Sequence, residues 1–150
     1  MFENLISFLL FSFFFFLPFS SQVVFPSFFS ANPDFGNSKF SSEFGIYTPN
    51  CGIDQVHMSF GHDEYLYMAV KDYLPLEALY VIRYHSFYAA HRENGYDHLM
   101  NDVDRKMFRW VRFFNPFDLY TKGDAAPDVE ALKPYYVELI NEFFPEKIRW

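Results

Sequence analysis

From residue 62 onward, apolar side chains recur every three or four positions, and no run of strict apolar–polar alternation competes with them. His62, Leu66, Ala69 and Tyr73 share one face of a helix predicted over residues 62–73. A second helix is expected from Pro75, a favoured first-turn residue, with Glu77 complementing the helix dipole and a stripe of Ala78, Ile82, His85 and Ala89. The short link around Leu74 and Pro75 implies neighbouring, roughly antiparallel helices. Asn101 in "NDVDR" is placed to cap a third helix through Met107, Trp110, Val111 and Phe114, which Asn115-Pro116 should stop. A last helix should start at Pro134, carry Tyr136, Leu139, Ile140 and Phe143, and end before Pro145. The expected fold class is all-α.

At 150 residues the chain has the size of one domain. A net charge of −7, with 12 scattered Lys and Arg, leaves no basic face for a phosphate backbone, so nucleic-acid binding is excluded. The one cysteine, Cys51, cannot close an intramolecular disulfide and lies in a turn between Asn50 and Gly52, which points to a reducing cytoplasm and a structural thiol.

Half of the 22 Phe fall in the first 30 residues. Within residues 1–22, "MFENLISFLLFSFFFFLPFSSQ", the apolar run from Leu5 to Phe19 is shorter than the roughly 20 residues of a membrane span, and Glu3 stands where a signal peptide needs positive charge. Phe, Ser, Leu and Pro share pyrimidine-rich codons and Gln22 can be encoded by CAG. Residues 1–22 are therefore expected to be translated intron or a mispredicted start, a signal peptide or membrane anchor being the lesser reading, with genuine coding sequence from Val23. From there to Gly52, Asn, Pro, Ser and Gly predict an irregular, surface-wrapping segment.

Three side chains carry the chemistry. His62 and His85 are expected to face inward from adjacent helices, and Asp118 follows the third helix in "NPFDLYTK". Imidazoles and carboxylates converging between helices suit iron and related divalent metals, while a hydrogen-bonded core histidine is the plainer alternative for each imidazole. Lys122, four residues after Asp118, either reaches the same pocket or lies in solvent. His57, His91 and His98 read as solvated, and Asp63 and Glu64 as first-turn acids suited to the helix dipole.

The segments "CGIDQVHMSFGHDEYLY", "IRYHSFY", "FNPFDLYTK" and "PDVEALKPYYVELINEFFP", in that order and followed by a terminal Trp150, resemble the C-terminal half of the myo-inositol oxygenase family over residues 23–150. The resemblance implies an incomplete HD-domain-like helical bundle and an enzyme that cleaves myo-inositol with O2 to D-glucuronate at a non-haem centre of two iron ions. It implies a cytoplasmic monomer in inositol catabolism. His62 and His85 would be ligands of one iron, Asp118 a ligand of the other; His85 and Ser86 would lie at the substrate, and Lys122 close to the site. His62-Asp63 imitates the pair that names HD domains, but the match assigns "GHDEY" to a later, isolated histidine ligand.

Half of the implied protein ligands, including the true His-Asp pair, would lie on helices N-terminal to those present. Apolar faces meant for those helices would stay exposed, forfeiting roughly 25 cal/mol per Å². The expectation is a fragment that binds iron weakly and tends to aggregate. Two rival readings are an HD-type metal-dependent phosphohydrolase and a non-catalytic fragment with a membrane-associated N-terminal segment.

Overall fold

The computed structural model describes residues 30–40, 42–119 and 127–149; the segment 1–22 and Lys122 lie outside the described residues. Among the described residues there are five α-helices and no strand, as the periodicity predicts: α1 (His62–Val70), α2 (Leu76–Tyr84), α3 (Tyr88–His91), α4 (Asp102–Leu119) and α5 (Val129–Phe143). The described residues fall into two compact units. One comprises residues up to Ser59 with Phe87–Lys106, the other Phe60–Ser86 with Met107 onward.

In the first unit, turns and one 3-10 helix (Ile53–Gln55) carry the chain from residue 30 to Ser59, in keeping with the Asn, Pro, Ser and Gly there. Its core gathers Ile53, Val56, Phe87, Ala90, Tyr96, Leu99 and Met100, with Phe87 and Tyr96 meeting edge to face at 4.4 Å. Asn50 N–H donates to His98 O at 2.9 Å and Gly52 N–H to Leu99 O at 2.8 Å, pinning the two stretches together. Gly52 takes φ +99°, and a Cβ there would come within 2.7 Å of both Asn101 Nδ2 and Asp54 Oδ1. Only glycine fits. Asn101 and Asp104 cap the start of α4 reciprocally, each side chain accepting from the other's backbone N–H at 2.9 Å.

The second unit carries the α1–α2 hairpin. Ala69, Val70 and Leu79 form its buried centre, with Tyr67, Leu74, Ile82 and Phe144 packed against them. Met107, Phe108 and Val111 of α4 are buried in the same unit, where the Phe108 ring stacks on Tyr84 at 5.5 Å. After α5, which Asp128 caps by accepting from Ala131 N–H at 3.0 Å, Arg149 N–H donates to Tyr73 Oη at 3.4 Å.

Four helix boundaries differ from the sequence reading. α1 ends at Val70 rather than Tyr73, and its buried side is Ala69 and Val70 while Leu66 is exposed. α2 stops at Tyr84 instead of reaching Ala89, because the next core draws Phe87 into a non-helical φ −82°, ψ 61°. α4 passes through Pro116 to Leu119, its turns held by burial of Phe108, Val111 and Asn115, so Asp118 lies on a helix rather than in a loop. α5 starts at Val129, five residues before Pro134, because the Asp128 cap outweighs the proline as a start signal.

Candidate metal centre

The break after Tyr84 sets the site. With Phe87 drawn away, His85 and Ser86 form the C-terminal turn of α2, within reach of the first turn of α1. A five-residue link, Lys71 to Pro75, brings those two ends together. One donor atom each from His62, Asp63 and His85 lie within 4.8 Å of one another, close enough to share a cation.

The local geometry orients each donor. His85 Nδ1 faces two carbonyl oxygens of its own helix, Val81 O at 3.2 Å and Ile82 O at 2.9 Å. Carbonyls only accept, so Nδ1 carries a proton, and in the neutral imidazole Nε2 then keeps the lone pair, the arrangement that metal-bound histidines use. His85 Nε2 lies 3.6 Å from Asp63 Oδ1, and His62 Nε2 lies 2.5 Å from the same oxygen. The two imidazole rings meet edge to face at 5.5 Å. The Ser86 hydroxyl donates to the other carboxylate oxygen, Asp63 Oδ2.

A second pair of residues braces this one. Arg83 donates to Glu64 through two nitrogens, Nε to Oε2 at 2.6 Å and Nη2 to Oε1 at 2.9 Å, and its guanidinium lies 4.3 Å from the centre of the Tyr67 ring. Burial pulls the guanidinium pKa down, but the hydrogen bond and charge of Glu64 and the nearby tyrosines raise it above its ordinary value. The fork geometry leaves neither carboxylate oxygen of Glu64 turned to the histidines.

The structure thus brings His62, His85 and Ser86 together. Asp118 is exposed on the last turn of α4 and is not a member of the donor group. His62 does not face inward as its stripe implies: its side chain is 78% exposed, against 20% for His85. As the first residue of α1 its ring has no preceding turn to cover it, and its neighbours are Asp63 and His85.

Sequence reasoning passed over Asp63, whose place in the first turn of α1 suggests only a dipole partner. The overlooked signal is the hairpin itself. A five-residue link makes the first turn of one helix meet the last turn of the other, which pairs His62-Asp63 with His85-Ser86.

Donor chemistry decides the fit to a metal. Two imidazole nitrogens and a carboxylate oxygen suit Fe(II), Mn(II), Co(II) or Zn(II) rather than Mg(II) or Ca(II). Asp63 Oδ1 is buried yet makes no hydrogen bond in spite of its closeness to His62 Nε2. A cation shared by two such donors needs them roughly 3 to 4 Å apart, as His85 Nε2 and Asp63 Oδ1 are, so His62 would have to move outward to join it.

A family model described as myo-inositol oxygenase matches residues 12–150. Inositol oxygenases from Dictyostelium discoideum and Danio rerio are each 51% identical to the chain, over 135 and 136 residues, and cover 88% of it. The inositol oxygenase of Homo sapiens is 47% identical over 136 residues, 89% of the chain. These matches take in 46%, 49% and 48% of the relatives, so the chain spans less than half the length of each. With nearly its whole length inside one family model and half of its matched residues identical to named members, the chain belongs to the myo-inositol oxygenase family.

Proposed function

We propose that the chain is part of an inositol oxygenase, an iron-dependent oxidoreductase that opens the ring of myo-inositol with O2 to give D-glucuronate in inositol catabolism. The observation that carries this reading is His85, whose Nδ1 is committed to the carbonyls of Val81 and Ile82 while its other nitrogen is turned to His62 and Asp63. In a chain of this family, that is how a metal-binding imidazole is expected to be held.

His62 and His85 would hold one iron, and exposed Asp118 would serve a second together with ligands from outside this chain. Bound iron would supply Lewis acidity toward the substrate diol and redox chemistry toward O2. Ser86, donating its proton to Asp63, keeps oxygen lone pairs that can accept from a substrate hydroxyl. Such a contact would turn one face of a polyol to the imidazoles. The cytoplasm is the compartment we assign, from the free thiol of Cys51 and the family resemblance.

The test supplies the rest of the fold in trans. The chain is co-expressed with the portion of the Dictyostelium discoideum relative that it does not match, then loaded with Fe(II). Addition of myo-inositol should consume O2 and release glucuronate, and His85→Ala should abolish both. Release of phosphate from a phosphoester without O2 uptake would replace this reading with a phosphohydrolase. A stable complex without either turnover would overturn it.

A further inference from the structure

We propose that Asp63 is a positioning residue that sets specificity through Ser86. By holding the serine's only hydroxyl proton it makes Ser86 an acceptor alone, so the site admits a ring carbon bearing a hydroxyl and rejects the same carbon as a ketone. This rests on the reading of Ser86 as a substrate contact in an inositol oxygenase, and His62 and His85 stay its metal-binding imidazoles.

A serine near a helix end ordinarily returns its hydroxyl to a carbonyl three or four residues back. The carbonyl four residues before Ser86 is that of Ile82, and His85 Nδ1 already lies 2.9 Å from its oxygen. The Ser86 hydroxyl instead crosses to α1 and donates to Asp63 Oδ2, 23 positions away in sequence. The hairpin permits that crossing, because it sets the first turn of α1 against the residues that follow α2.

The surroundings keep the proton there. An O–H donated to a carboxylate is roughly twice as strong a bond as one between neutral groups, so a substrate oxygen does not win it away. Glu64, the neighbouring acid, offers no second acceptor, since Arg83 engages both of its oxygens. The Asp63 side chain is 18% exposed, which limits competition from water. With its proton committed, Ser86 Oγ retains lone pairs and has nothing to donate. A free serine hydroxyl would rotate to suit either partner. Ser86 is half-buried, so a ligand can still reach it. A ring hydroxyl placed there donates to Oγ, whereas a ring carbonyl sets two acceptors against each other and leaves both unsatisfied.

The test uses the Fe(II)-loaded complex of the chain with the unmatched portion of the Dictyostelium discoideum relative, kept anaerobic so that nothing turns over. Calorimetry compares the binding of myo-inositol with that of its monoketone analogues, each having one ring hydroxyl oxidised to a carbonyl. At least one ketone should bind about tenfold more weakly than myo-inositol, and for that ketone Asp63→Leu should erase most of the difference, because the released serine proton can then be donated to the carbonyl. In a Ser86→Ala background, Asp63→Leu should change the same ratio by no more than about twofold, since the aspartate acts only through the serine. An effect of Asp63→Leu as large without the hydroxyl as with it would show a merely structural role and overturn the assignment. Unchanged discrimination in Asp63→Leu, with myo-inositol binding weakened in Ser86→Ala, would overturn the role of Asp63 and leave Ser86 as a substrate contact. Equal affinity of the wild type for myo-inositol and every ketone would refute the selectivity itself. Should Asp63→Leu lose helix by circular dichroism, Asp63→Ala removes the same acceptor and is read by the same criteria. A wild-type complex that takes up Fe(II) but binds none of these compounds would overturn the inositol oxygenase reading, and the role of Asp63 with it.

Discussion

His98 packs against Phe44 at 5.6 Å, with Nε2 buried and lacking a hydrogen-bond partner. Burial lowers its pKa, a shift only partly opposed by the nearby carboxylates of Asp97 and Glu43. Below an ordinary histidine pKa of about 6.5 the unfolded chain therefore binds a proton that the folded chain resists. The stability linked to His98 is complete above that pH and is lost as pH falls through it. Thermal melts at pH 7.5 and 5.5 should show a drop that is smaller in His98→Gln; an equal drop in the variant would refute the assignment. Asp104 is a second residue whose role is local. Besides capping α4 with Asn101, it accepts from Ile53 N–H at 3.0 Å inside the core. Asp104→Ala should cost about 2–4 kcal/mol in urea unfolding, because a cap is lost and a buried N–H is left unpaired; a loss below 1 kcal/mol would contradict it. The cap was legible, being Asn and Asp three residues apart at a helix start. Its bond to Ile53 was not, since the two are 51 residues apart and no local pattern links them.

At the scale of elements, helix existence was readable wherever an apolar period met a start signal, and boundaries failed where tertiary packing overrode a local rule. Phe87 interrupts the second helix because its ring belongs to a core with Tyr96. Nothing in its own neighbourhood announces that. Proline misled twice. Pro116 and Pro134 both lie inside helices, each removing one backbone hydrogen bond. Because α4 holds its course around Pro116, Pro116→Ala should restore a donor without repacking and raise stability by about 1–3 kcal/mol. A lowered midpoint would show instead that the helix depends on a proline bend there. The candidate site followed the same division. Spacing and motif single out His62 and His85 as candidates, whereas the first-turn place of Asp63 already explains an acid and gives no sign that it lies beside them.

At the scale of the whole molecule, apolar side chains stand in water on two helices: Trp110, Phe113 and Phe117 on α4, and Tyr135, Tyr136, Val137 and Ile140 on α5, which has no buried residue. The isolated chain should self-associate at micromolar concentration, seen as a rising apparent mass in light scattering. The pair Tyr136→Lys and Ile140→Glu should shift it toward monomer; an unchanged mass would place the association elsewhere. The resemblance implied the other ligands outside this chain, which covers less than half of its relatives.

The Glu64–Arg83 bridge has a bearing on time as well as on shape. It fastens the start of α1 to the end of α2, and should hold the span between His62 and His85 against hinging. A cation bound there would then leave by shedding its ligands one after another. Glu64→Gln should thus shorten the half-time for Co(II) loss to a chelator far more than it lowers equilibrium affinity; equal effects on both would mean that the bridge sets strength rather than residence.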